Sequence, residues 1–188
     1  MKPLEYLSLE ELWEMFPIVL TPNNDYWEEW AGEEILSLKN LLKDSISTIH
    51  HIGSTAIKGI WAKPIIDLLI ESEKKDDFGK IKSILIKTGY ICMNQSEERI
   101  SFNKGYTPEG YAERVFHLHL RIKGDNDEIY FREYLNDHPD IAKEYEQLKL
   151  SLWKKFEHDR DGYTNAKTGF IQFYTMKAKK ESGLIKEI

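Results

Sequence analysis

Three separated runs of this chain carry side chains whose types and spacing suit phosphate and cation chemistry. In the first, His51-Ile52-Gly53-Ser54-Thr55, a β-rich stretch ends in a Gly-Ser pair ahead of a short helical segment. Free backbone N–H groups at such a turn can hold a phosphate. Thr55 and the nearby Lys63 join Gly53 and Ser54 as candidate phosphate contacts. In the second run, Pro64 to Glu71, strand alternation puts Ile65, Asp67, Leu69 and Glu71 on one face and Ile66, Leu68 and Ile70 on the other. A carboxylate among aliphatics is unfavourable without a cation or hydrogen-bond donors, so Asp67 is expected to meet a partner. Glu71, at the strand end, is expected to be solvated. In the third run, Val115 to Ile122, His117, His119 and Arg121 share one face while Phe116, Leu118, Leu120 and Ile122 share the other. Imidazoles bind metals or exchange protons near neutral pH. The plainer alternative is a solvated outer sheet face, which alternation alone also produces.

These residues need elements to position them. Trp27, Trp30, Ile35, Leu38, Leu41 and Leu42 recur at helical spacing between Asp25 and Asp44, with Asp25 as the expected N-cap. A strand is expected over 47–52, a turn of helix over 55–62, a buried strand over 64–71 and a helix over 76–88 that stops at Gly89. Three β segments follow, with a long loop around "GYTPEGYAE". The remainder reads as three helices, the second opened by Pro139, a residue favoured at the first helical position. Strands mixed with helices, then helices alone, predict an α+β fold: a small sheet with a C-terminal helical cap. The expected unit is one domain over 1–188, with an α/β core over about 25–125 and a helical part over about 126–188.

Bulk composition narrows the classes. A chain of 188 residues that is 41% hydrophobic can bury a sizeable core. Its formal net charge of −6 argues against general binding to nucleic-acid backbone, which needs clustered Lys and Arg. One cysteine, Cys92, excludes an intrachain disulfide and a cysteine-based zinc site. The acidic N-terminal run does not read as a signal peptide and no apolar run approaches a membrane span, so a cytoplasmic location without membrane partners is expected. The oligomeric state is left open.

The order of a Gly-Ser turn, a short helix and an acid on the next strand resembles the nucleotidyltransferase superfamily of the DNA polymerase beta type. The longer run "HIGSTAIKGIWAKPIIDLLI" resembles the GrpB family within it. The likeness continues through His117-Leu118-His119, through Phe131-Arg132-Glu133-Tyr134-Leu135 with His138-Pro139, Tyr145, Leu148 and Lys149, and through Asp159, Tyr163, Ala166, Lys167, Phe170 and Ile171. It covers the chain from about Asp25 to the last helix and implies a small mixed β-sheet flanked by helices.

The resemblance also implies that Gly53 and Ser54 hold nucleotide phosphates while carboxylates on neighbouring strands bind Mg²⁺. Asp67 matches the first acid. Leu69 stands where the second is expected, and the His117-Leu118-His119 strand carries no third. Mg²⁺ prefers octahedral oxygen ligands. A set of Asp67, His117 and His119 suits a divalent transition ion better, with His51 able to join and His50 in the opposite strand phase. The first functional expectation is transfer of a nucleotidyl or phosphoryl group to an unknown acceptor, with Asp67 on a cation and Arg121 or Lys167 stabilising developing negative charge. The second is a non-catalytic module that binds a nucleotide or another phosphorylated small molecule. The third is an interaction domain with a relic pocket.

Overall fold

The computed structural model describes residues 4–184. In chain order the elements are α1 (Leu9–Met15), α2 (Tyr26–Leu42), β1 (Thr48–Ile52), β2 (Ile66–Ser72), α3 (Phe78–Lys87), β3 (Ile91–Gln95), β4 (Arg99–Thr107), β5 (Gly110–Ile122), α4 (Asp127–Asp137), α5 (Pro139–Trp153) and α6 (Arg160–Glu181). The five strands form one sheet in the order β1-β2-β5-β4-β3, in which β2 and β5 run parallel and every other pair is antiparallel. The fold is therefore α+β with a mixed sheet.

Strand alternation divides this sheet into two chemically different faces. Ile66, Leu68 and Ile70 of β2, with Phe116, Leu118 and Leu120 of β5, pack against Trp27, Ala31, Leu38 and Leu42 of α2 and Phe78, Ile81 and Leu85 of α3. Burying these aliphatic and aromatic side chains contributes roughly 1.5–3 kcal/mol each. The opposite face carries Asp67, Leu69 and Glu71 beside His117, His119 and Arg121, because the parallel register sets Asp67 next to His117, Leu69 next to His119 and Glu71 next to Arg121. The helices after β5 build a second apolar cluster from Phe131, Tyr134, Leu135, Ala142, Tyr145 and Ala178, into which Ile57 and Ile60 insert. These helices and the loop after β1 thus enclose the polar face of the sheet.

Four local expectations are corrected. Asp25 is helical in backbone and does not cap α2; Asn24 Oδ1 accepts the Tyr26 N–H at 3.0 Å instead. The turn of helix expected over 55–62 shrinks to a 3₁₀ turn at Ser54–Ala56, since Ile57 is extended and Gly59 has φ +72°. The run "GYTPEGYAE" is not a long loop but the tip of the β4–β5 hairpin, with pairing continuing to Thr107 and Gly110. A bulge between Lys104 and Tyr106 lets it bend, and Gly105 there has φ +91° with the Val115 Cα only 3.0 Å from where a Cβ would stand. Glu71 is not solvated: it is 4% exposed and accepts hydrogen bonds from Thr48 Oγ1 at 2.8 Å, the Gly124 N–H at 2.8 Å and Asn126 Nδ2 at 3.1 Å.

Candidate functional site: a lysine-lined pocket on the polar face of the sheet

The Gly53–Ser54 turn sits directly against Asp67. Gly53 has φ +73°, and a Cβ at this position would collide with the Asp67 carboxylate, so only glycine allows the turn and the acid to approach this closely. Ser54 turns its hydroxyl toward Tyr145, whose phenol burial raises to about 12 against the opposing Ser54 hydrogen bond. A cavity of about 630 Å³ opens beyond them, lined at one end by Gly53, Ser54, Lys63, Asp67, His117, Tyr145, Lys149, Tyr163 and Lys167. Its lining also includes Ile65, Asp127, Glu128, Phe131, Ile171, Gln172, Thr175 and Met176.

Three ammonium groups meet at that end. Lys167 lies 4.2 Å from the Tyr163 ring centroid and Lys63 lies 5.7 Å from it. Lys149 lies 4.8 Å from the Tyr145 ring and donates to the Trp61 carbonyl. Burial lowers all three: Lys63 falls to about 8, with Arg160 adding repulsion and Asp67 opposing; Lys149 falls to about 7, with Lys167 adding repulsion and Glu146 opposing. Lys167 also falls to about 7, where Lys63 adds repulsion and Asp67 opposes. Among the described residues neither Lys63 nor Lys167 has a carboxylate within ion-pair distance. The buried Tyr163 hydroxyl beside them has no hydrogen-bond partner. The cap of α6 fixes this geometry, since Asp159 accepts the Gly162 N–H at 2.8 Å one residue before Tyr163.

Asp67 is held from the other side by a hydrogen-bonded series. Its Oδ1 is 3.3 Å from His117 Nδ1, His117 Nε2 is 2.7 Å from the Tyr106 hydroxyl, and Arg160 donates to that hydroxyl at 3.1 Å. Burial raises the Asp67 carboxyl, yet the His117 hydrogen bond and the charges of His117, His119 and Lys63 outweigh it, leaving the group below its ordinary value. Burial also raises the Tyr106 phenol to about 12, against the opposing Arg160 charge.

The structure thus brings Gly53, Ser54, Lys63, Asp67, His117 and Lys167 to one pocket and leaves the other expected residues aside. Thr55 is 7% exposed and structural, donating to the Ile65 carbonyl at 3.2 Å and bonding His51 Nε2 at 2.9 Å. Arg121 is bound to Glu128 by two hydrogen bonds of 2.7 and 2.6 Å and does not line the cavity. The phases of the two adjacent histidines are the reverse of those expected. In the antiparallel β1–β2 register His50 stands opposite Leu69 and so shares the Asp67 face, whereas His51 stands opposite Leu68. Even so, His50 points to Thr48 and Glu71, at 3.0 and 3.4 Å.

A divalent ion does not fit this donor set. Among the described residues no three His, Cys, Asp or Glu side chains converge to hold a metal, so Asp67, His117 and His119 do not form the expected ligand trio. Both ring nitrogens of His117 already have partners, and burial lowers the His119 imidazole, which does not line the cavity. Leu69, at the position of the absent second acid, is fully buried.

Sequence reasoning missed Lys149, the pocket-lining role of Tyr145 and Tyr163, and the Tyr106–Arg160 pair. One signal was present. Ala142, Tyr145, Glu146 and Lys149 are the buried positions of α5, so a lysine occupies the inward stripe of an amphipathic helix, where a charge needs a reason.

A mixed sheet whose glycine turn faces a lone acid, roofed by helices that add lysines, defines an α+β protein with an anion-ready pocket. Residues 17–177 match the family model described as GrpB protein, and the chain belongs to the GrpB family. It is 35% identical over 160 residues to glutamate-rich protein GrpB of Alkalihalophilus pseudofirmus, covering 82% of this chain and 91% of that one. It is 32% identical to UPF0157 protein YqkA of Bacillus subtilis, covering 93% of this chain but 51% of the relative, so it spans about half of that protein's length. The crystal structure of conserved protein GrpB from Enterococcus faecalis superposes with a TM-score of 0.77 at 29% identity, over 87% of this chain and 99% of that one. A weaker likeness, with a TM-score of 0.48 at 14% identity over 76% of this chain and 43% of the other, links it to Cid1 in complex with its product ApU, too low a score to decide activity. Among the described residues no helix is long and apolar enough to cross a membrane.

Proposed function

We propose that this protein binds a nucleotide or another phosphorylated small molecule in the pocket between the Gly53–Ser54 turn and α6. The observation that carries the reading is the convergence of Lys63, Lys149 and Lys167 around the unpartnered Tyr163 hydroxyl, with Asp67 as the one carboxylate among them. Mutually repelling ammonium groups in a half-buried site are unfavourable in the absence of an anion and favourable around one. Phosphate oxygens answer both the ammonium charges and the free hydroxyl. The test is calorimetric titration of the protein with nucleoside phosphates, for wild type and Ser54→Ala. The loss of one hydroxyl contact, about 1 kcal/mol, should weaken binding several-fold with little change in fold. Absence of binding by the wild type would refute the reading.

A second reading, transfer of a nucleotidyl or phosphoryl group, draws support from Asp67 itself. An ionised carboxylate that is hydrogen-bonded to His117 and placed against the phosphate turn is suited to accept a proton from an attacking hydroxyl. Lys167 would then stabilise charge on the transferred group, whereas Arg121, bound to Glu128, would not. Release of a nucleotide fragment or of phosphate on incubation with nucleoside triphosphates, abolished by Asp67→Asn, would separate transfer from binding alone.

A further inference from the structure

We infer that the group this pocket takes is a terminal phosphate monoester, bound as its dianion and without a bridging divalent ion. The inference deepens the phosphate-binding reading and rests on it. Charge supports the first part. Lys63, Lys149 and Lys167 face one end of the cavity and Asp67 faces them, so this end holds three cationic groups and one anionic group. The remaining acids nearby are already matched. Glu128 is bidentate with Arg121, Asp127 pairs with Lys179, and Glu146 accepts from the Trp61 N–H at 2.7 Å and from Lys143 at 2.8 Å. A bound anion favours the ammonium form of each lysine, and with all three protonated around it the surplus of two positive charges is answered by a dianion. A phosphodiester carries one negative charge and leaves one cation unmatched. A triphosphate brings more negative charge than the lysines neutralise; of the carboxylates lining the cavity Asp127 and Glu128 are already paired, and among the described residues no three His, Cys, Asp or Glu side chains converge to hold a Mg²⁺ that would share it.

Donor number points the same way. Tyr145, Lys149 and Tyr163 are 3%, 1% and 1% exposed, so the groups around the lysines are withdrawn from solvent. An organic substituent on a phosphorus atom seated among them has Phe131, Ile171 and Met176, in the same lining, to run along. A monoester has one substituent and three terminal oxygens, enough for the ammonium groups and for the Tyr163 and Ser54 hydroxyls. A diester has two substituents and two such oxygens.

Matched ligand pairs test this on the whole chain in EDTA: methyl phosphate against dimethyl phosphate, and 5′-AMP against 3′,5′-cyclic AMP. Calorimetry should show each monoester binding at least tenfold tighter than its diester, with no gain on replacing EDTA by Mg²⁺. Lys167→Met and, separately, Lys63→Met should each narrow that ratio while retaining the wild-type circular dichroism spectrum. Equal or tighter binding of the diesters, or monoester binding only with Mg²⁺, would overturn the inference and leave phosphate binding standing. Failure of every one of these ligands and of inorganic phosphate to bind would overturn both.

Discussion

Lys167→Met should make the ligand-free protein more stable while weakening its affinity for phosphate. Lys167 is held near 7 where an ordinary lysine titrates near 10.5, with burial the largest cause and Lys63 the next. At 1.36 kcal/mol per tenfold change in proton affinity, that displacement corresponds to roughly 5 kcal/mol of unfavourable charging at the upper limit. Lys167 is only partly buried, so solvent screening reduces the figure, and a stabilisation of about 1–3 kcal/mol is expected at pH 7. Methionine keeps the unbranched stem beside Tyr163 and deletes the charge. The sign of the pH dependence follows from linkage. Below about pH 7 the lysine is charged in both folded and unfolded chains and its destabilising effect is complete; as pH rises toward 10.5 the effect fades, because the folded protein no longer carries the proton. Denaturant unfolding of both proteins at pH 6.5, 8 and 9.5 should therefore show the variant ahead by a margin that shrinks with rising pH. A variant less stable than wild type at pH 6.5, or a margin that does not change with pH, would refute the reasoning.

Other perturbations probe the supporting structure. Gly53→Ala forces a positive φ on alanine and drives its methyl into Asp67, so thermal melts should report a loss of about 1–3 kcal/mol and calorimetry a weakened phosphate site. His51 is lowered to about 4 chiefly by burial, so it contributes stability at neutral pH that is lost as pH falls from 6.5 toward 4; His51→Gln should flatten the unfolding curve in that window, and an unchanged acid limb would count against a buried neutral imidazole. Leu69→Asp places a carboxylate at a fully buried position between His50 and His119, and should destabilise by about 3 kcal/mol or more in urea unfolding. A Mg²⁺-dependent rise in Tm of that variant would show that the backbone can accept a second acid as a ligand.

Within a strand, alternation fixes faces without any tertiary knowledge, which is why Asp67 was correctly set apart from Ile66, Leu68 and Ile70, and His117, His119 and Arg121 were correctly grouped on one face. Helical spacing likewise placed Lys167 one turn from Tyr163, where the ring and ammonium meet. Between strands no such rule operates. The faces of His50 and His51 depend on Ile52 standing opposite Asp67, a register set by the turn and by packing, and local periodicity does not contain it. Glu71 was misread for the same reason, because its partners Gly124 and Asn126 lie 53 and 55 residues away. The lysine cluster draws on a loop, α5 and α6. Only the inward position of Lys149 on its own helix hinted at it.

The Arg160–Tyr106–His117–Asp67 series has a direction. A guanidinium can only donate, so the Tyr106 oxygen accepts from Arg160, which leaves its hydrogen and its second lone pair for its other neighbours, His117 Nε2 among them. An ionised carboxylate can only accept, so Asp67 draws an imidazole proton onto His117 Nδ1. A permanently protonated residue at the start of α6, some 40 positions further along the chain, thus shares a hydroxyl with the histidine that faces Asp67. Asp67 stands at the receiving end of the series, and its remaining oxygen is turned to Gly53 and the phosphate turn. The last helix therefore reaches the carboxylate of β2 without touching it, through one shared hydroxyl and one imidazole.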